Sequence, residues 1–154
     1  MATYSFVNVQ ATFSGPDGTY DIGSGTGVAE EGITIQMIED KTKLDIGADG
    51  APMHSLRASN ACRVTLRYLK TSPVNHQLSA SYNFQKSYAG NWGQNIIKIS
   101  DTYRGDIVAV TDAAFAKQPD VSYTKDAAMM VWEFIGVCPA ELLGTGQPAI
   151  TPLG

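Results

Sequence analysis

The chain predicts a mainly β domain with one α-helix. Three observations carry this. Short runs alternate apolar and polar residues with a period of two and are separated by turn residues. Only one stretch repeats its apolar residues at helical spacing. No internal repeat or linker divides the 154 residues, a length that suits one domain with a real hydrophobic core.

The first strand spans Tyr4 to Phe13, where Tyr4, Phe6, Val7, Val9, Ala11 and Phe13 interleave with Ser5, Asn8, Gln10 and Thr12; the alternation slips at Phe6–Val7. Gly15-Pro16-Asp17-Gly18 is a strong turn, and Thr19 to Ile22 returns as its partner. Gly23 to Gly27 is a flexible loop. Ile33 to Glu39 puts Ile33, Ile35 and Met37 on one face and Thr34 and Gln36 on the other. Lys43 to Ile46 follows as a short strand. Residues 47–60 read as a long excursion of small residues, inside a loop at about 40–60; a loop of that length usually has a role. Ala61 to Leu69 sets Cys62, Val64, Leu66 and Tyr68 against Arg63, Thr65 and Arg67. The helix begins after Ser72 as N-cap with Pro73 at its first position, carries Val74, Leu78 and Tyr82 as a stripe, and ends near Ser87. Strands resume at Ile96–Ser100 and Ile107–Lys117, with Tyr103-Arg104-Gly105 at the bend. Another is expected at Val121–Lys125 and a last one at Met129–Ile135. From Pro139 to Gly154 the chain reads as an extended C-terminal arm, at about 139–154.

Composition narrows the function. Charged residues make up 17% of the chain, below the roughly 25% of ordinary soluble domains, which hints at surface covered by partners. Net charge is -4, but residues 1–50 carry eight acids against two bases while the remainder carries seven against nine. Such asymmetry lets one face attract another copy of the same chain, and the acidic total argues against a sequence-independent nucleic-acid binder. Cys62 and Cys138 form no disulfide framework and read as buried thiols in a reducing cytoplasm. MATYSFVNV does not read as a secretory signal, and no apolar run approaches the length a membrane span needs.

Catalytic, cofactor and metal motifs are not expected. The glycines at 23–27 lack the Lys and Ser/Thr of a phosphate loop and lead into Glu30-Glu31 and a strand. His54, Cys62, His76 and Cys138 contain no tight ligand pair. No nucleophile elbow occurs, and Glu30-Glu31 and Glu39-Asp40 are adjacent residues that point to different sides. Arg104-Gly105-Asp106 reads as turn chemistry. Exposed strands and long arms point instead to assembly.

Several segments resemble one family: AEEGITIQMIEDKTKLDIGADG (29–50), HSL (54–56), LKTSPVN (69–75), SYNFQ (81–85), NWGQN (91–95), RGD (104–106) and KQPDVSYTKD (117–126). Together, and in this order over nearly the whole chain, they are similar to the tail tube proteins of contractile-tailed bacteriophages, whose fold is shared with the type VI secretion tube protein. The resemblance implies a β-sandwich or partly rolled barrel with one flanking α-helix. It implies a structural virion protein without enzymatic activity or cofactors. Hexameric rings of such subunits stack head-to-tail, each subunit giving strands to a common inner barrel. About 24 tilted strands at ~6 Å of circumference each make a wall roughly 48 Å across, and its channel passes a DNA duplex. The implied partners are copies of the chain itself, a tail sheath protein outside, a tape measure protein and then double-stranded DNA in the lumen, and baseplate and tail terminator proteins. The implied place is the phage tail, assembled in the host bacterial cytoplasm. Alternatives are a type VI-like or tailocin tube that passes no DNA, and a small β-sandwich binding module or enzyme.

Within this frame the strands around 33–38, 43–46 and 61–69 are expected to line the lumen, with Thr34, Gln36, Arg63, Thr65 and Arg67 facing it; the arginines can instead pair with acids in the wall or face outward. Inter-ring or inter-subunit contacts are expected at Glu30, Glu31, Glu39, Asp40, Met53, His54 and Arg57. The carboxylates would meet Arg57, Arg63 and Arg67 of another copy, or else line the channel.

Overall fold

The computed structural model of the chain describes residues 9–23, 28–101, 105–126 and 128–144, with only the backbone described at 28–31 and 140. Nine strands and one α-helix follow in the order β1 (Val9–Gly15), β2 (Gly18–Asp21), β3 (Val28–Met37), β4 (Thr42–Ile46), β5 (Pro52–Leu56), β6 (Ala61–Tyr68), α1 (Val74–Lys86), β7 (Asn95–Asp101), β8 (Asp106–Lys117) and β9 (Met130–Leu142). Seven of the strands form one antiparallel sheet in the order β2-β1-β7-β8-β9-β6-β3, and β4 and β5 form a separate hairpin.

Alternation explains which face is inside. In β6 every second residue is buried, so Cys62, Val64, Leu66 and Tyr68 point into the core while Arg63, Thr65 and Arg67 lie half-buried on the other face. β9 places Trp132, Phe134 and Cys138 inward against them. The sheet rolls: Phe13 of β1 and Phe134 of β9 are separated by two strands in the sheet, yet their rings lie 5.5 Å apart. Phe115 of β8 sits at the centre, with its ring 4.6 Å from Phe134, 5.4 Å from Tyr82 and 6.0 Å from Trp132. Tyr68 closes the end of this core, its buried hydroxyl donating to the Ile22 carbonyl at 2.7 Å.

The helix starts one residue later than the sequence places it, with Pro73 rather than Ser72 as N-cap, and Ser72 Oγ accepts the Val74 N–H at 3.3 Å. Val74 and Leu78 are buried as the stripe predicts, but the other fully buried positions are polar, Ser81 and Gln85, while Tyr82 is half-buried. Polar contacts tie the helix to three parts of the sheet. Asn75 Oδ1 accepts from Trp132 Nε1 at 3.1 Å. Ser81 Oγ donates to Asp17 Oδ2 at 2.6 Å and bonds the Tyr20 hydroxyl at 3.1 Å. Gln85 and Asn95 exchange two amide bonds, Gln85 Nε2 to Asn95 Oδ1 at 2.7 Å and Asn95 Nδ2 to Gln85 Oε1 at 2.9 Å; Asn95 Nδ2 also donates to the Ala113 carbonyl at 3.0 Å. A buried amide must find such partners or lose its hydration uncompensated.

The β8–β9 pairing is irregular. Its register shifts between Ala109 and Thr111, Thr111 and Ala114, and Phe115 and Lys117. Asp112 sits in this stretch at φ 52°. Opposite it Gly136 is closely covered: a Cβ there would lie 3.0 Å from the Ala113 Cα, the Thr111 carbonyl oxygen and Val110 Cγ1. Backbone cannot give way as a side-chain tip can. Gly136→Ala is therefore expected to cost about 2 kcal/mol by overpacking, read as a lower denaturation midpoint at unchanged slope.

Three sequence expectations need correction. The loop at about 40–60 is a β-hairpin: residues 52–56 pair with 42–46 from Thr42↔Leu56 to Ile46↔Pro52. It shows no core-facing alternation because both its faces are exposed. The expected strand at Val121–Lys125 is absent. That stretch is held instead by Lys70, whose Nζ donates to the Ser122 carbonyl and lies 4.0 Å over the Tyr123 ring. Residues 139–142, expected in the C-terminal arm, belong to β9, which runs through Pro139 to Leu142, the proline falling where the β8–β9 ladder is interrupted. The beginning of the first expected strand, the glycines at 24–27, Tyr103-Arg104 and residues 145–154 lie outside the described residues.

Candidate assembly surfaces

Among the described residues, two surfaces stand out as uncovered by the subunit. The first is the β4–β5 hairpin. Directly opposed residues share a face, so Thr42, Leu44 and Ile46 line up with Leu56, His54 and Pro52, while Lys43, Asp45, Ser55 and Met53 form the other face. The first face is largely apolar and at least half in solvent: Leu44 is 50% exposed, Ile46 65% and Leu56 83%. An isolated two-stranded hairpin is marginal in water. Among the described residues, hydrogen bonds at its base hold this one together. Lys41 Nζ donates to the Ser59 carbonyl at 2.9 Å and Asn60 Oδ1 at 2.8 Å, and the Lys41 carbonyl accepts the Arg57 N–H at 2.9 Å.

The second surface is the open face of the sheet with its β3 edge. Strand registers place residues in rows. Thr34 lies opposite Thr65, Thr65 opposite Glu133, and Glu133 opposite Lys117. Gln36 lies opposite Arg63, and Arg63 opposite Ile135. Thr34 and Gln36 are exposed and Arg63, Thr65 and Arg67 half-buried, so all five expected lumen residues share the face away from the core. Lys43–Ile46, expected in the same wall, instead lies in the separate hairpin. β3 is the long outer strand, pairing with β6 on one side only.

A model of the family described as Bacteriophage PhiTE tail tube protein matches residues 1–144. The chain belongs to this tail tube family. None of the curated proteins matches it. Solved structures share the fold at low identity. The sheath/tube terminator of the extracellular contractile injection system PVC, in its extended state, is 16% identical with a TM-score of 0.51, covering 94% of this chain and 99% of that one. The anti-feeding prophage tube terminating cap is 16% identical with a TM-score of 0.50, covering 89% and 90%. A chain of the anti-feeding prophage baseplate is 10% identical with a TM-score of 0.50, covering 94% and 98%.

In this tail tube subunit the expected contact residues fall into three places. Met53 and His54 are exposed on β5, and Arg57 just beyond it. Glu39 and Asp40 are exposed in the turn that leads into β4. Glu30 and Glu31 belong to β3, and their side chains are outside the described set. Arg63 is engaged within its own subunit, Nη1 donating to Glu133 Oε2 at 3.1 Å, while Arg57 and Arg67 are the other two basic candidates for contact with another copy. Sequence reasoning missed Glu133; only its register opposite Thr65 and Lys117 reveals its neighbours.

Nothing in this arrangement gathers a metal. Among the described residues no group of three or more His, Cys, Asp or Glu stands close enough to hold an ion. His54 lies on the hairpin and His76 on α1. Cys62 and Cys138 are not joined by a disulfide and are buried side by side in the core, where burial and the Cys138 thiol push the Cys62 thiol up to about 11, out of the reactive range. No helix among the described residues is long and apolar enough to cross a membrane.

Proposed function

We propose that this tail tube protein assembles into hexameric rings that stack head-to-tail as the inner tube of a phage tail, through which DNA leaves the capsid. The observation that carries this is the β4–β5 hairpin, an apolar face that its own subunit leaves in water. In a head-to-tail stack every subunit both offers that face and covers another's. Around the ring, the open β3 edge meets the outer strand of the next subunit, which removes the unpaired edges that invite aggregation. The open face with Thr34, Gln36, Arg63, Thr65 and Arg67 then lines the channel. Glu39, Asp40, Met53, His54 and Arg57, at and around the hairpin, contact the next ring, and Glu30 and Glu31 the neighbour along β3.

The partners follow from this placement: sheath outside, tape measure protein and then double-stranded DNA inside, baseplate and tail terminator at the ends. The protein acts as a structural element, without catalysis, in a particle built in the bacterial cytoplasm. Fold similarity to components of contractile injection systems supports a second reading, a tube of the same build that passes no DNA. Sequencing nuclease-protected DNA from purified particles separates the two.

Negative-stain microscopy of the purified chain tests the assembly itself. Rings or tubes with an open channel are expected, and a protein that stays monomeric at high concentration sinks the proposal. Salt tests the charges. If Glu39 and Asp40 pair with Arg57 of the next ring, each exposed pair contributes about 0–1 kcal/mol and is screened. Polymerisation followed by light scattering should then slow as ionic strength rises. Faster assembly at high salt would show that the carboxylates repel one another around the channel.

A further inference from the structure

Glu133 stands among bases. Its Oε2 accepts from Arg63 Nη1 at 3.1 Å. Lys117 is its register partner across β8–β9. Arg67 lies two residues along β6 from Thr65, which is the partner of Glu133 across β6–β9, and shares the open face with Arg63. Asp120 is the other acid nearby; it lines a shallow cleft with Lys117, Ser122 and Glu133. The side chains of Arg63 and Glu133 are 39% and 29% exposed, so solvent screens their pair and it adds little to folding stability. Its consequence is larger for what the face can bind.

We propose that Glu133 is a charge-masking residue, which holds Arg63 and offsets Arg67 and Lys117 so that this face does not grip a polyanion moving along it. The proposal rests on the reading that the face lines the channel. An arginine fork matches phosphate oxygens well. A free one neutralises a phosphate and releases counterions, the term that makes basic surfaces hold DNA. Arg63 is already occupied by a carboxylate and must give up that partner first. Because each subunit repeats the cluster, a weak grip per subunit would multiply along a tube, and one acid per subunit is enough to limit it.

The test uses the full-length chain kept dilute and unassembled, titrated with a fluorescent DNA duplex over a series of salt concentrations. Glu133→Gln should bind about five-fold tighter at low salt, with the slope of log affinity against log salt steeper by about 0.9, one more phosphate neutralised. Arg63→Gln/Glu133→Gln should return the affinity to that of the unaltered chain. If Glu133→Gln binds as the unaltered chain does, with the same slope and an unchanged circular dichroism spectrum, the masking role is overturned. A second measurement addresses the face itself. In assembled tubes, Thr34→Cys should react with a small maleimide and not with one carried on a bead wider than the channel. Reaction with the bead would place the face outside the channel and leave the masking result standing by itself.

Discussion

Replacing Leu44, Ile46 and Leu56 together by serine should abolish tube growth while leaving the subunit folded. All three lie on one face of the hairpin, apart from the seven-stranded sheet, and are at least half exposed in the subunit, so truncating them leaves the main core intact. In the proposed stack the same side chains would be covered by the next ring. Each fully buried aliphatic side chain is worth about 1.5–3 kcal/mol. Three of them amount to roughly 5 kcal/mol per subunit, more than a thousandfold in the association constant at 1.4 kcal/mol per tenfold. Every subunit of a ring repeats the loss. Microscopy should show single rings or free subunits, and the melting temperature should stay within about a degree of the unaltered chain, since surface substitutions away from packed groups change stability by less than about 0.5 kcal/mol. Normal tubes from the triple variant would mean that the hairpin is not the stacking element.

Asn95→Ala should have the opposite signature, a large loss of stability with no direct effect on the exposed surfaces. Asn95 and Gln85 are both fully buried. Truncating Asn95 removes three hydrogen bonds at once and leaves the Gln85 amide oxygen, the Gln85 amide nitrogen and the Ala113 carbonyl without that partner. Buried groups left unsatisfied cost about 1–3 kcal/mol each, so a loss on the order of 4 kcal/mol is expected, and with it a fall of roughly 10 °C in the melting midpoint. Gln85→Leu/Asn95→Leu should recover more than half of that, because only the Ala113 carbonyl then lacks its partner. A double-mutant cycle with additive single effects would show that the two amides do not act as a pair.

Sequence and structure agree where a residue's chemistry matches its burial. β6 was legible because Cys62, Val64, Leu66 and Tyr68 alternate with polar neighbours and the sheet buries only one of its faces. The helix was legible from the Val74 and Leu78 stripe, which did not include the buried polar residues Ser81 and Gln85. Their partners Asp17, Tyr20 and Asn95 are far off or unremarkable in sequence, so nothing local marks them as interior. The hairpin failed for the converse reason. Pro52–Leu56 faces no core of its own, and a strand with nothing to bury shows no period. Val121 and Tyr123 did alternate, but no neighbouring strand offers them a ladder, and Lys70 holds the segment as coil. The candidate surfaces were half visible. Side-chain type placed Thr34, Gln36, Arg63, Thr65 and Arg67 on one face, while the register that sets Glu133 beside Arg63 is a long-range property of three strands.

The irregular pairing of β8 and β9 bears on the bore of the tube. Bulges bend a strand and sharpen its local twist. Three register shifts, a left-handed Asp112 and the bare backbone of Gly136 are concentrated at the middle of a seven-stranded sheet. Such bends add to the turn of the sheet between its two outer strands, and in the proposed ring they would bear on the angle at which one subunit presents its edges to the next. In a closed ring that angle fixes the number of copies. Calibre would then be written inside each subunit, in a few residues that touch no neighbour, and the edges would only have to hold. Flattening the bend while keeping the edges intact would open the ring to further copies, whereas weakening an edge would change how firmly the ring holds without changing its width.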